Sequence, residues 1–496
     1  MLNVACIYPP FGHHPFQENL AVVDEDFGRL PPLSLLYAAA VAERHGHRVI
    51  VVDANAHSLS LSEVVHRLRE FRPDVLAFTL STYAFDTATA WMDALRRQLK
   101  VPTVAGGVNV QLFPEATMAH PAVDYGVLHF GTAGFPALLD ALEAGRDPAG
   151  LPEVVTRGAD GTVCLGPVDR RTNPYLHLPA PARHLVDNRV YHSFISQRRN
   201  FTVMVTSTGC PFRCSFCAIP PRPRYLNPLD DVVREVRSCV TDHGIREIDF
   251  FDSDLFADRA RGLELCRRLT ALGTDLEWSC RTRVDRLDEE LVRAARRSGC
   301  RKMYVGIETP SPAAQRALGK RVKLDCVPAN LRMMRRLGVR PLGFFMLGVP
   351  GETHRTALRT IAYALGLPLD YAQFSRMIPK PGSEMHRELV ERLGEDPWVA
   401  HLRGQQRLGR LPNLWSSIGE AAIERYTKLA YAAFYYRPTY VLRALARMRS
   451  LEELARSGRT ALRMIAALAY HDAGAEPPLP GVAARATQRR RRDTTR

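Results

Sequence analysis

Short runs of consecutive apolar residues recur through the first part of the chain: LNVACIYPP, RVIVVDA, PDVLAFTLS, VPTVAGG and VDYGVLHF. Between them lie stretches whose apolar residues fall three or four apart, namely PPLSLLYAAAVAERHGH, SEVVHRLREFR, DTATAWMDALRRQLK and FPALLDALEAG. Unbroken apolar runs predict strands buried on both faces, and the longer period predicts helices that cover them. Right-handed crossovers then predict a doubly wound parallel layer over residues 1–145. Ligands of such layers sit at the carboxyl ends of the strands. Those ends read YPPFGHH, DANAH, LSTYAF, GGVNVQ and HFGTAG.

The layer expected is thus α/β and flavodoxin-like. Residues 146–200 are rich in Pro and turn residues, with one hairpin expected at GADGT, and read as a wrapping linker. Alternation resumes over 201–380. Strand-like runs are FTVMVT, REIDFFD, LEWSC, KMYVGIE, RPLGFFMLG and YAQFSRM, with helical patterns at 228–242, 258–272, 287–298, 311–337 and 352–366. Six strand–helix units are too few for a closed eight-fold barrel, so a six-unit (β/α) partial barrel, open on one side, is expected. Residues 381–480 read as a helical C-terminal domain. ERYTKLAYAAFYYRPTYVLRALARMRSLEELA within it is a packing helix pair, with a lid or membrane-surface role as the sharper alternative. Residues 481–496 read as a basic, disordered tail.

Composition narrows the class without choosing a function. Hydrophobic residues make up 46% and charged residues 24%, which suits a chain that buries real cores. The N-terminus lacks the basic start and apolar core of a secretory signal, and no run of eighteen apolar residues is present. The ten cysteines are scattered except for one cluster, so free thiols in a reducing cytoplasm are expected. Cys6, Cys164, Cys239, Cys266, Cys280, Cys300 and Cys326 read as small core residues. The net charge is +15, and the last sixteen residues hold six Arg and one Asp. Such a tail could attract an anionic partner, but nucleic acid is not the expected one.

The cluster is TSTGCPFRCSFCAIP, in which Cys210, Cys214 and Cys217 are spaced C-x3-C-x2-C just after an apolar strand. Structural zinc takes four ligands, and no second Cys or His pair follows at the required distance. A 4Fe–4S cubane is normally held by four Cys, so three would leave one iron open. CPFRCSFC at the end of the first strand of a six-unit barrel resembles the radical S-adenosylmethionine (SAM) superfamily. The resemblance implies that the amine and carboxylate of SAM chelate the open iron. It further implies reductive cleavage of the sulfonium to methionine and a 5′-deoxyadenosyl radical that abstracts hydrogen from substrate. It also implies SAM contacts from Phe216, from Asp252 in IDFFDSD, from Arg281 in SCRTR, from Gly306 and Glu308 in YVGIET, and from Gly348 in FMLGVPGET.

The first 145 residues, through IYPPFG, PDVLAFTL and VPTVAGGVNVQLFPE, resemble the cobalamin-binding domain of cobalamin-dependent radical SAM enzymes. The likeness is to the branch of anaerobic porphyrin cyclases, hopanoid-modifying enzymes and natural-product methylases. It implies cobalamin contacts from Ser81, Thr82, Tyr83, Gly106, Gly107, Val108, Gly131 and Thr132. The D-x-H-x-x-G motif, whose His ligates cobalt, is absent: His13, His14 and His57 do not match its spacing. The lower cobalt face would be bare, water-bound or covered from LSTYAF. Where relatives often carry GEGE after the fifth strand, this chain has FGTAG, which removes an acidic pair.

The function expected is methylation of an unactivated carbon of a small-molecule biosynthetic intermediate, with SAM as both radical source and methyl donor. The alternative is a cyclase or carbon-skeleton rearrangement without methyl transfer. A methylthiotransferase is rejected because only Cys6 and Cys164 precede the triplet. A cobalamin or iron–sulfur sensor binding nucleic acid through the tail is the non-enzyme alternative. A flavodoxin or ferredoxin is the expected electron donor. Tyr371, Gln373, Ser375, Tyr435 and Arg437 are the candidate substrate contacts.

Overall fold

In the computed structural model the described residues are 1–10, 28–129, 131–193, 195, 196, 198, 200–219, 224–405, 411–447 and 458. His13, His14, Phe130 and the basic tail lie outside them. The first layer runs β1 (Asn3–Tyr8), α1 (Leu33–Arg44), β2 (Arg48–Asp53), α2 (Leu61–Phe71), β3 (Val75–Thr79), α3 (Phe85–Leu99), β4 (Thr103–Gly106), β5 (Tyr125–Val127) and α4 (Gly134–Glu143). β1 to β5 pair in parallel in the order β2-β1-β3-β4-β5. This is the expected flavodoxin-like order, and its strands are buried on both faces by the flanking helices.

The predicted hairpin is present as β6 (Val154–Arg157) and β7 (Val163–Leu165), which pair antiparallel. It is not part of a linker. β6 pairs antiparallel with β5 and extends the first sheet to seven strands, so this layer reaches Leu165 rather than stopping at residue 145. The chain then crosses to the second layer under a buried tie. Arg183, 2% exposed, donates to Glu235 (2.7 Å) and to the Val203 carbonyl (2.9 Å).

The second layer contains β8 (Phe201–Met204), α5 (Leu229–Thr241), β9 (Glu247–Phe250), α6 (Arg259–Ala271), β10 (Glu277–Thr282) and α7 (Glu289–Arg297). It continues with β11 (Cys300–Glu308), α8 (Val327–Arg336), β12 (Arg340–Leu347), α9 (His354–Gly366) and β13 (Tyr371–Arg376). The six strands are parallel and in chain order, the open partial barrel expected. Side chains alternate across each strand. Phe250, Trp278, Cys280, Met303, Val305, Ile307, Phe345 and Phe374 pack outward against the helices in one core. Glu247, Asp249, Ser279, Arg281, Lys302, Tyr304, Gly306 and Phe344 therefore face the lumen.

After the barrel come α10 (Glu384–Leu393), α11 (Pro397–Leu402), α12 (Glu420–Tyr435) and α13 (Pro438–Arg447). Ile378, Leu389, Trp398, Leu402 and Leu411 join the core of the first layer, so this region binds the two layers together. α12 packs along β13. The Tyr431 hydroxyl accepts from the Phe374 amide (3.2 Å), and the Tyr435 hydroxyl accepts from the Ala372 amide (3.1 Å) while donating to the Ala372 carbonyl (2.7 Å). An edge strand has unpaired backbone groups, and these two hydroxyls satisfy them. Among the described residues no helix is long and apolar enough to cross a membrane.

Candidate functional site

Cys210, Cys214 and Cys217 lie on the loop that leaves β8, all half-buried. The loop is fastened from several sides. The Ser215 amide donates to the Leu318 carbonyl (3.0 Å) and the Ser215 hydroxyl to the Ala317 carbonyl (3.1 Å). The Lys380 amide donates to the Phe216 carbonyl (3.2 Å). The Arg283 guanidinium lies 4.3 Å from the centre of the Phe212 ring and donates to the Lys320 carbonyl (2.8 Å).

Burial pushes the Cys214 thiol up to about 11, opposed by the positive charge of Lys320, and burial also raises Cys210. Thiolates in this pocket need a cation to form, and iron supplies one. A single zinc draws its ligands into one tetrahedron, whereas a cubane meets each thiolate at a different iron. The donor set fits the cubane.

At the end of β11 stands a knot of three residues. Glu308 is 6% exposed and takes φ +65°, a left-handed conformation that non-glycine residues rarely adopt. Its carboxylate pairs with Lys320 (2.9 Å). Burial works against the Lys320 ammonium, but Glu308 and the Cys214 thiolate outweigh it and hold its pKa above the ordinary value. A Cβ at Gly306 would stand 2.5 Å from both the Glu308 carboxylate and the Lys320 ammonium, so Gly306 makes room for the pair rather than directly for a ligand. Glu308 thus stands at the end of β11 with Lys320 as its partner.

Other expected SAM contacts have different neighbours. Asp252 is 1% exposed, and its carboxylate accepts from the Thr206 amide (2.9 Å), the Thr206 hydroxyl (2.8 Å) and the Ser207 hydroxyl (2.6 Å). It braces the root of the cysteine loop, and both of its oxygens are taken. A Cβ at Gly348 would lie 2.5 Å from the Asn413 amide nitrogen, which donates to the Gly348 carbonyl (2.6 Å). That glycine admits Asn413, a protein group. The Gly348 amide donates to Glu352, which is 2% exposed and which burial pushes up to about 7. Phe216 packs on a small apolar cluster that includes Met346, Val349 and Met385. Arg281 is level with Tyr304 across the sheet, four residues short of Glu308, so it sits deeper in the lumen than the cysteine loop's rim.

The carboxyl edge of the first sheet is built from small neutral groups. Gly107 has φ +99°, and a Cβ there would stand 2.7 Å from the Leu80 carbonyl; only glycine fits this turn. A Cβ at Gly106 would make only an ordinary contact with the Phe78 carbonyl, at 3.9 Å, and Val108 is 49% exposed. The Ser34 hydroxyl donates to that of Thr79 (3.1 Å). This cradle of backbone, hydroxyls and an exposed apolar side chain suits a large, mostly neutral macrocycle.

Three further contacts expected at that edge are otherwise engaged. The Ser81 hydroxyl accepts from the Ala84 amide (3.2 Å), and Thr82 is buried. Tyr83 receives a hydrogen bond from Lys380 (2.8 Å) and meets the Trp398 ring edge-on, 5.6 Å between centres. Tyr83 thereby joins the two layers. The Gly131 amide donates to the Leu128 carbonyl (3.2 Å), and the Ala133 and Gly134 amides that follow donate to Glu153 (3.3 and 3.2 Å), which also binds His129 (3.2 Å). The acid missing from FGTAG arrives from the following hairpin.

Of the expected substrate contacts, Tyr371, Gln373 and Ser375 are half-buried on the lumen face of β13. Tyr435 is not a lining residue, since its hydroxyl caps the edge of that strand. Arg437 donates to the Leu365 carbonyl (2.9 Å) at the end of α9 and lies 4.3 Å from the Phe434 ring centre. Among the scattered cysteines, Cys6, Cys239, Cys266, Cys280 and Cys300 are buried, whereas Cys164 is exposed and Cys326 half-buried.

Comparison with known proteins agrees with this arrangement. Residues 204–364 match the radical SAM superfamily and residues 20–139 match the B12 binding domain. The chain is 29% identical to the uncharacterized methyltransferase PH0819 of Pyrococcus horikoshii, over 83% of this chain and 89% of that one. It is 23% identical to the anaerobic magnesium-protoporphyrin IX monomethyl ester cyclase of Rubrivivax gelatinosus, over 74% and 67%. The fold is that of the radical SAM methyltransferase TsrM from Kitasatospora setae, solved with cobalamin and a 4Fe–4S cluster bound. The TM-score is 0.70 at 19% identity, over 94% of this chain and 99% of that one.

Proposed function

The chain belongs to the cobalamin-dependent radical SAM enzymes, and we propose that it methylates an unactivated carbon of a small-molecule biosynthetic intermediate, with SAM as radical source and methyl donor. When bound, the 4Fe–4S cluster and SAM supply a carbon-centred radical and cobalamin supplies the methyl group. The observation that supports this reading most is the pairing of two different mouths in one chain. A three-cysteine loop beside the Glu308–Lys320 pair tops the barrel, and a glycine- and hydroxyl-lined sheet edge belongs to the layer joined to it through Tyr83 and Lys380.

The chain's own groups position and exclude. Cys210, Cys214 and Cys217 hold the cluster, Asp252 and Arg283 keep their loop in place, and Glu308 accepts the amine of SAM. Lys320 holds Glu308 in its left-handed turn. Gly106, Gly107 and Val108 meet cobalamin. Tyr371, Gln373 and Ser375 face the substrate. The electron that starts each turnover comes from a flavodoxin or ferredoxin, and the enzyme works in the cytoplasm.

The test is anaerobic reconstitution, visible spectra for cluster and cobalamin, and product analysis with candidate substrates. Methylation yields methylated substrate, 5′-deoxyadenosine and S-adenosylhomocysteine together. 5′-Deoxyadenosine with a rearranged product and no S-adenosylhomocysteine would instead assign the chain to cyclisation.

A further inference from the structure

Arg281 is held in an unusual way for a lumen charge. Its guanidinium pairs with Asp249 through both terminal nitrogens (3.1 and 3.3 Å) and donates to the Phe250 carbonyl (3.2 Å). It lies 4.0 Å from the Phe251 ring centre and 4.8 Å from that of Tyr304. Tyr304 in turn stacks on Phe344, 6.0 Å apart at 12°. The two partners are unequally exposed: the Asp249 side chain is 4% exposed and that of Arg281 23%. The Asp249 carboxylate is the buried end of the pair, and the Arg281 guanidinium is its more exposed end.

Guanidinium has five N–H donors in a fixed fork. Three are engaged, which leaves the Nε–H and one terminal N–H without a partner among the described residues. The two aromatic rings beside it lower the local dielectric, which strengthens whatever charge contact it makes. The deeper lumen adds no competing charge from Glu247, because Lys302 neutralises it in a pair that is almost wholly buried. Arg281 is also at the wrong level for the methionyl end of SAM. Four residues of β11 separate Tyr304 from Glu308, at most about 13 Å at ~3.3 Å per residue and less across the bulge between Gly306 and Glu308.

We infer that Arg281, on its shelf of Phe251, Tyr304 and Phe344, is an oxyanion anchor for the substrate: the molecule processed carries a carboxylate or phosphate that docks in the lumen below SAM. This rests on the radical SAM reading only for the direction from which SAM reaches the substrate.

The test uses the full chain, reconstituted with its cluster and loaded with SAM, and three probes: benzoate, phenyl phosphate and the neutral isostere benzamide. Equilibrium dialysis is expected to show the acids bound and benzamide not, and the tighter acid identifies the natural group. Arg281→Gln should weaken acid binding about ten- to a hundredfold, and Arg281→Lys less, with cluster iron content as the check on folding. SAM affinity should not change. Equal acid binding by wild type and Arg281→Gln, no preference of wild type for acids over benzamide, or a fall in SAM affinity in Arg281→Gln would each overturn the assignment. Failure of the methylation reading would show only as absent S-adenosylhomocysteine and would leave this binding contrast intact.

Discussion

The two mouths of the molecule are made of different materials. At the barrel top, charge and ties dominate: a cysteine loop pinned by residues from five separate segments, an ion pair in a rare backbone conformation, and carboxylates that are nearly all committed. At the carboxyl edge of the first sheet, glycine, hydroxyls and one exposed valine dominate, and the nearby carboxylate, Glu153, is taken up by the amides at the start of α4. A small zwitterion on an iron cluster has to be held by placed charges. A large, mostly neutral macrocycle needs room and backbone, so glycines suffice. The difference teaches that the first kind of site is written in side chains and the second largely in space.

The sharpest way to break the comparison is to replace Cys210, Cys214 and Cys217 together by Ala. Iron and sulfide should fall to background and turnover should vanish, while cobalamin retention by the purified protein persists. Joint loss of cobalamin would mean that the two mouths are not separable.

Next in size is Lys320→Met, which leaves a buried carboxylate alone. Breaking such a pair costs about 3–5 kcal/mol, and the 15% exposure of Lys320 places it toward the lower end. Denaturant unfolding should read this loss, SAM affinity should fall with it, and Lys320→Arg should restore part of both.

Gly107→Ala probes the other mouth. A side chain at φ +99° against the Leu80 carbonyl costs about 1–3 kcal/mol. The expected result is lowered cobalamin occupancy in the visible spectrum with unchanged iron content.

The smallest effect is a pH dependence at Glu352. Its pKa in the fold, about 7, lies above the ordinary 4.5 because burial disfavours the charged form. The folded protein therefore binds more protons than the unfolded chain between these values, and the group's contribution to stability is present below 4.5 and lost as pH rises through about 7. Melting temperatures of wild type and Glu352→Gln should diverge in favour of the variant between pH 5 and 8; parallel curves would remove Glu352 from the account.

The layer order, the six parallel strands and the cysteine loop were legible because each rests on a period or a spacing that local sequence carries. Lys320 was not. Residues 311–337 have helical apolar spacing throughout, yet the helix stops at Ala317, Gly319 turns left-handed at φ +63° against the Arg213 carbonyl, and α8 begins only at Val327, with Pro328 in its first turn. A Gly-Lys pair followed by Pro within an apparent helix was the available signal. Arg283 was readable as the residue two beyond Arg281, on the same side of an extended strand.

Tyr435 and Arg437 are hard to place from sequence for a different reason. An aromatic, basic helix looks like a ligand wall until it is known which strand lies at the open edge, and that depends on how the whole barrel pairs. Glu153 is hidden likewise, because the stretch that brings it reads as a linker from its Pro and turn residues.

The hydroxyls of Tyr431 and Tyr435 on β13 carry a consequence for synthesis. The last barrel strand emerges from the ribosome well before α12 does, so its outer backbone stays bare while the intervening segment is translated. Through that interval the nascent chain holds a sticky ribbon beside three oxidisable sulfurs.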